Sequence, residues 1–234
     1  MSILNVNNLS TGYGKKQVLF DVSLDIKKGQ TVLLVGSNGS GKSTLLKTIY
    51  GLIGVWDGTI EYDGDLLQSR GQRVPTHKLI QKGIMYIPQK DVLFEDMTVE
   101  ENLHASLLHT GNKKSIEQTV HQVMGQMPML QERRKQLVNR LSGGERKQLS
   151  LAMVVANTPK LLLLDEPLAG VSEDNLPMVM QWLLNTRNKG TAILIVEHRV
   201  KELINFADNI VGLKLDHLYT DNLFTLDNIK SFMI

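Results

Sequence analysis

Residues 36–43 read Gly36-Ser37-Asn38-Gly39-Ser40-Gly41-Lys42-Ser43, which is Gly, four residues, then Gly-Lys-Ser, the pattern of a phosphate loop. Directly before it stands Thr31-Val32-Leu33-Leu34-Val35, a continuous apolar run of the kind found in strands covered on both faces. Residues 42–50 read as a helix. The glycines let backbone N–H groups turn toward an anion without Cβ clashes, and the helix start adds the positive end of its dipole. In that setting Lys42 reaches the β and γ phosphates of a nucleotide, Ser43 offers its hydroxyl to magnesium, and Thr44 closes the segment.

Outward from this loop, alternation in residues 3–9 and 18–26 predicts two half-buried strands joined by a Gly12-Tyr13-Gly14 turn. Further strands are expected at 59–62 and 84–87, with a helix at 76–82 between them. Residues 98–139 read as helical throughout, opened by a Thr98/Glu101 capping box and broken at Gly111-Asn112 and Met127-Pro128. Helix 142–157, strand 160–164, helix 175–188, strand 191–196 and helix 200–206 then restore the alternation of a parallel sheet. The expectation is an α/β fold: a P-loop NTPase core with a mostly parallel sheet, an N-terminal antiparallel β part and an inserted α-helical subdomain. A chain of 234 residues has room for one core and a small second lobe. Residues 1–90 and 158–234 are assigned to the core and 91–157 to the helical lobe.

Leu161-Leu162-Leu163-Leu164-Asp165-Glu166 is an apolar strand ending in two carboxylates, at the edge where α/β sheets place ligands. Asp165 suits a magnesium sphere, and Glu166 suits a base that orients or deprotonates an attacking water. An acidic pair there would serve equally as a helix N-cap. Leu141-Ser142-Gly143-Gly144-Glu145 opens another helix and so offers a second anion-binding N-terminus. One phosphate loop has no need of it; two copies lying head to tail would.

The series of phosphate loop, Gln89, Ser142-Gly143-Gly144-Glu145, Asp165-Glu166 and His198 resembles the ATP-binding cassette family over nearly the whole chain. The resemblance implies ATP and magnesium as cofactors and a second cassette, the same or different, as partner. It also implies a separate transmembrane permease and a place on the cytoplasmic face of a membrane. Through it Tyr13 looks like the aromatic that stacks on adenine, Gln89 like the link from magnesium and water to the helical lobe, and His198 like the contact to the γ-phosphate. The loop Pro167-Leu168-Ala169-Gly170-Val171-Ser172 departs from the family pattern, which usually ends in Asp. Residues 213–218 lack the glycine that usually turns a hairpin.

Met97-Thr98-Val99-Glu100-Glu101-Asn102-Leu103, Leu168-Ala169-Gly170 and Val196-Glu197-His198 look like the ATPases of branched-chain amino acid importers, and lipopolysaccharide-export ATPases look similar. A soluble cassette ATPase acting on DNA or ribosomes usually carries two cassettes or a coiled-coil insertion, and a non-hydrolytic regulator would not need both Lys42 and Glu166. Apolar Val92, Leu93, Phe94 and Met97 interrupt polar sequence and could dock the permease or pack between lobes.

Composition narrows the rest. A net charge of +2 and a pI near 8.7, with no dense basic stretch beyond Arg133-Arg134-Lys135, point away from nucleic acid. The absence of cysteine excludes disulfides, thiolate metal sites and cysteine nucleophiles. The start Met1-Ser2-Ile3-Leu4-Asn5 turns polar at once, so no export signal is expected. The apolar runs fall short of the about 20 residues a membrane-spanning helix needs.

Overall fold

The computed structural model describes residues 1–90, 92–214 and 217–219. The chain opens with a long hairpin, β1 (Ser2–Tyr13) and β2 (Lys16–Lys27), then β3 (Thr31–Val35) and α1 (Lys42–Ile49). Next come β4 (Asp57–Tyr62), β5 (Asp65–Ser69), β6 (Gln72–Arg73), α2 (Thr76–Gln81) and β7 (Ile84–Ile87). Helices α3 (Val99–Leu107), α4 (Lys113–Gln126), α5 (Pro128–Glu132) and α6 (Gly143–Asn157) follow. The chain continues through β8 (Leu161–Asp165), α7 (Leu176–Asn188), β9 (Ala192–Val196), α8 (Val200–Leu203), β10 (Asn209–Lys214) and β11 (His217–Tyr219).

Two sheets form. One is antiparallel, in the order β2-β1-β4-β5-β6. The other runs β11-β10-β3-β9-β8-β7, parallel from β10 to β7 with β11 antiparallel at its edge. Alternation along each parallel strand decides what it touches. Val32, Leu34, Leu161, Leu163, Leu194 and Val196 join the antiparallel sheet and Leu45, Leu46 and Ile49 of α1 in one core. Leu33, Val35, Leu162, Leu164, Ile193 and Ile195 face the other way, toward α6, α7 and α8. Both faces are covered, so β3, β8 and β9 are buried along their whole lengths.

The helices after β7 have a third cluster of their own: Val99, Leu103 and Leu107 meet Ile116, Val120, Val123, Leu149 and Ala152. The capping box expected at α3 is present. Thr98 accepts from the Glu101 N–H at 3.2 Å, and Glu101 accepts from the Thr98 N–H at 2.7 Å. The Thr98 N–H holds the Glu101 carboxyl below its ordinary range.

Two local expectations are corrected. Gly12 and Tyr13 belong to β1, paired with Gln17 and Lys16; the turn is Gly14-Lys15, and a Cβ on Gly12 would lie 2.1 Å from the Lys16 carbonyl oxygen. Strands β5 and β6 extend the antiparallel sheet beyond the strands expected from the sequence. The helix expected over 200–206 stops at Leu203, whose carbonyl accepts from the Phe206 N–H at 2.9 Å in an i to i+3 bond that tightens the last turn; beyond it Arg187 donates to the Phe206 carbonyl at 3.0 Å. The hairpin of β10 and β11 forms, with Lys214 opposite His217; Leu215 and Asp216, where its glycine was missed, lie outside the described residues. Among the described residues no helix is long and apolar enough to cross a membrane.

Candidate nucleotide site

Strand β3 delivers the glycine loop to the C-terminal edge of the parallel sheet, and α1 leaves it there. Gly41 stands at the helix start with φ +99° and no side-chain cap, and a Cβ there would meet Leu19 Cδ2 at 2.6 Å. Only glycine fits both the angle and the space. Lys42 is 5% exposed, and its ammonium donates to the carbonyls of Gly36 and Ser37, each at 2.8 Å. Burial pulls its pKa down, against the opposing pull of Glu166 and Asp165. The Ser40 hydroxyl is buried, with no hydrogen-bond partner among the described residues.

A cavity of about 330 Å³ opens over this loop, lined by Asn38, Gly39, Gly41, Lys42, Ser43 and Thr44 together with Tyr13, Lys16, Val18, Glu166 and His198. Tyr13 is half exposed at its mouth, with its hydroxyl 3.5 Å from that of Thr44. An apolar and aromatic rim beside a cationic floor suits a base attached to a phosphate chain.

The carboxylates sit at the end of β8. Asp165, 3% exposed, accepts from the Ser43 hydroxyl at 2.8 Å and from the Tyr86 hydroxyl at 3.1 Å. Burial, with Asp165 beside it, pushes the Tyr86 phenol well above its ordinary range. Glu166 is held by Gln89, whose amide donates at 2.6 Å, and by His198 Nε2 at 3.2 Å. Its backbone is left-handed, φ +51°, and its N–H donates to the Val196 carbonyl at 2.8 Å. Gln89 thus rests on Glu166 and not on Asp165. Among the described residues no three acidic or histidine side chains gather as a metal cage. A hydroxyl and a carboxylate 2.8 Å apart beside a phosphate loop nonetheless fit magnesium, which takes few protein ligands and completes its shell with water and phosphate oxygens.

Ser142-Gly143-Gly144-Glu145 lies outside this cavity. Ser142 and Glu145 cap α6 reciprocally: the Ser142 hydroxyl accepts from the Glu145 N–H at 3.3 Å, and Glu145 accepts from the Ser142 N–H at 2.8 Å. That N–H holds the Glu145 carboxyl below its usual range, with Arg133 at 3.3 Å adding to the effect.

Sequence reasoning missed three side chains. Tyr86 is one. Asn102, fully buried, ties the loop before α3 to its own helix by accepting from the Phe94 N–H at 2.9 Å and donating to the Phe94 and Thr98 carbonyls. Glu197, 3% exposed, accepts from the N–H groups of Leu168, His198 and Arg199 at 3.0, 3.0 and 3.2 Å. A charged residue closing a fully apolar strand was the available signal for Glu197.

A phosphate loop at the edge of a parallel sheet, an acidic pair on the neighbouring strand and a separate helical cluster define a nucleotide-binding ATPase of the P-loop class. Residues 19–169 match the family model described as ABC transporter, more than half of the chain, and the chain belongs to that family. It is 35% identical over 212 residues to the high-affinity branched-chain amino acid transport ATP-binding protein of Pseudomonas aeruginosa, covering 91% of this chain and 89% of that one. It is 33% identical over 220 residues to the lipopolysaccharide export system ATP-binding protein of Haemophilus influenzae, covering 91% and 88%. A crystal structure of an ATP-binding cassette of an ABC transporter in its ADP conformation superposes with a TM-score of 0.80 at 25% identity, over 99% of this chain and 94% of that one. The chain binds and hydrolyses ATP and powers transport through a partner permease.

Proposed function

We propose that this chain is the ATPase of a branched-chain amino acid importer, working as a pair of cassettes, the same or different, on the cytoplasmic face of a membrane. The observation that carries the ATPase half is Glu166, held between Gln89 and His198 at the wall of the phosphate-loop cavity. In this reading Glu166 takes the proton of the attacking water, and His198 contacts the γ-phosphate. Lys42 and the N–H groups of residues 36–44 hold the triphosphate, and Tyr13 stacks on adenine. Ser43 and Asp165, with Gln89 nearby, hold magnesium, which neutralises phosphate charge when bound.

The second cassette supplies the wall that one chain lacks. The N–H groups of Gly143 and Gly144 are among those a helix start leaves without an intrahelical partner, and they stand outside their own chain's cavity. Facing the γ-phosphate of the opposite copy, they bind ATP better in the closed pair than in the open one, which gives hydrolysis something to switch. The helical lobe, assigned to residues 91–157, moves against the core formed by the rest. The permease docks beside Gln89, where Val92, Phe94 and Met97 are exposed while Leu93 packs on the helical cluster.

The cargo rests on the 35% identity to an amino acid importer ATPase. Against a lipopolysaccharide-export ATPase at 33%, the margin is small, and uptake of labelled leucine by cells with and without this chain decides between them. For the catalytic assignment, E166Q should lower turnover by about 10²–10⁴-fold while retaining ATP and accumulating a dimer. Turnover at the unmutated rate would remove Glu166 from the role.

A further inference from the structure

Two segments that flank the cavity are laced together by side chains beyond the point where their strands stop pairing. One runs from Glu166 to Glu173, and the other is Glu197-His198-Arg199. Glu197 Oε2 accepts from the Leu168 N–H at 3.0 Å, and its Oε1 accepts from the N–H groups of His198 and Arg199 at 3.0 and 3.2 Å. Arg199 adds a second stitch, donating to the Val171 carbonyl and to Glu173, each at 3.0 Å.

A carboxylate only 3% exposed, whose described partners are backbone N–H groups, is a costly way to finish a strand of five buried apolar residues. What the carboxylate adds is connection. It fixes the backbone that carries His198, whose Nε2 meets Glu166 at 3.2 Å, and it fixes that backbone relative to Leu168. The three N–H groups meet one rigid planar group, so displacement of the 168–173 segment removes one donor and frees the other two to shift.

We propose that Glu197 is a positioning residue for ATP turnover: it sets His198 against Glu166 and makes that setting depend on the place of residues 168–173. This rests on the roles given above to Glu166 and His198. Any contact that moves the loop ending in Ser172 thereby changes the turnover rate, without an Asp at that position.

The test is steady-state ATP hydrolysis by the full chain and three variants: E197Q, H198A and the double variant E197Q/H198A. A glutamine keeps the size but has one acceptor oxygen, so it cannot serve Leu168 and the His198–Arg199 pair together. E197Q should lower kcat about tenfold with KM changed less than about threefold, the split expected when an interaction acts on turnover and not on binding. In the double variant the rate should equal that of H198A within about twofold, because Glu197 acts through His198. A kcat for E197Q equal to the unmutated chain, or a loss that multiplies fully onto that of H198A, overturns the proposal. H198A turning over at the unmutated rate is a separate signature: it removes the reading of the site and the proposal with it. If E197Q does not fold, R199A, which alters a partly exposed side chain, carries the same comparison. Its kcat should drop about threefold in the unmutated background and not at all beside H198A; equal losses in both backgrounds overturn the proposal.

Discussion

Helices α1 and α6 both have glycine at their N-terminal ends, Gly41 capping one and Gly143 opening the other, yet their first turns are finished in opposite ways. α1 starts at a left-handed Gly41, with no side-chain cap and no acidic residue in its first turn. α6 starts at Ser142 with a complete capping box and Glu145 inside it. A capped start satisfies orphan donors and complements the dipole whether or not a ligand is present. An uncapped start above a buried ammonium leaves its donors for an anion. The comparison teaches which helix end is built around a ligand and which only presents one.

The largest test of this contrast is at Lys42. Lys42→Ala should weaken ATP binding by about 100-fold or more, the scale of losing charge-assisted hydrogen bonds to phosphate, as read by calorimetric titration. Unchanged affinity would leave the open end of α1 without a purpose. Next in size is Gly41→Ala, which meets both the positive φ and the Leu19 side chain. It should cost about 1–3 kcal/mol of stability in urea unfolding, and an unchanged midpoint would show that the start of α1 is not held as described. Ser142→Ala should cost about 1 kcal/mol and leave ATP affinity of the single chain unaltered, because that helix end is outside the chain's own cavity.

The smallest effect sharpens the contrast through pH. The Glu145 carboxyl is held below its ordinary value of 4.5, so its stabilising contribution is complete above that value and is lost as pH falls through the lowered one. Glu145→Gln should therefore be less stable than the unmutated chain by about 0.3–1 kcal/mol at neutral pH. The two melting temperatures should converge in acid. A gap that persists at pH 2 would assign the effect to packing and not to the cap.

Much of this was legible because burial on two faces leaves no freedom of composition. β3, β8 and β9 sit where unbroken apolar runs placed them, and the phosphate loop is a local pattern that needs no partner to be seen. The antiparallel edge was harder. In β5, Leu66 is exposed beside buried Leu67, and Gln68 is 1% exposed with its amide turned to the Thr48 carbonyl, so polarity there does not report the face. The side chains behind the cavity were invisible for another reason. Tyr86 meets Asp165 across 79 positions of sequence, and Glu197 meets Leu168 across 29, pairings that exist only once β7, β8 and β9 lie side by side.

Glu166 keeps a left-handed backbone, φ +51°, that a side chain of its type occupies at a disadvantage. Glycine would relax there, so the ease of the backbone and the role in hydrolysis proposed for Glu166 pull this one position in opposite directions. A library ranked by heat resistance alone would drift away from glutamate at residue 166, and would release Gln89 and His198 as it did so.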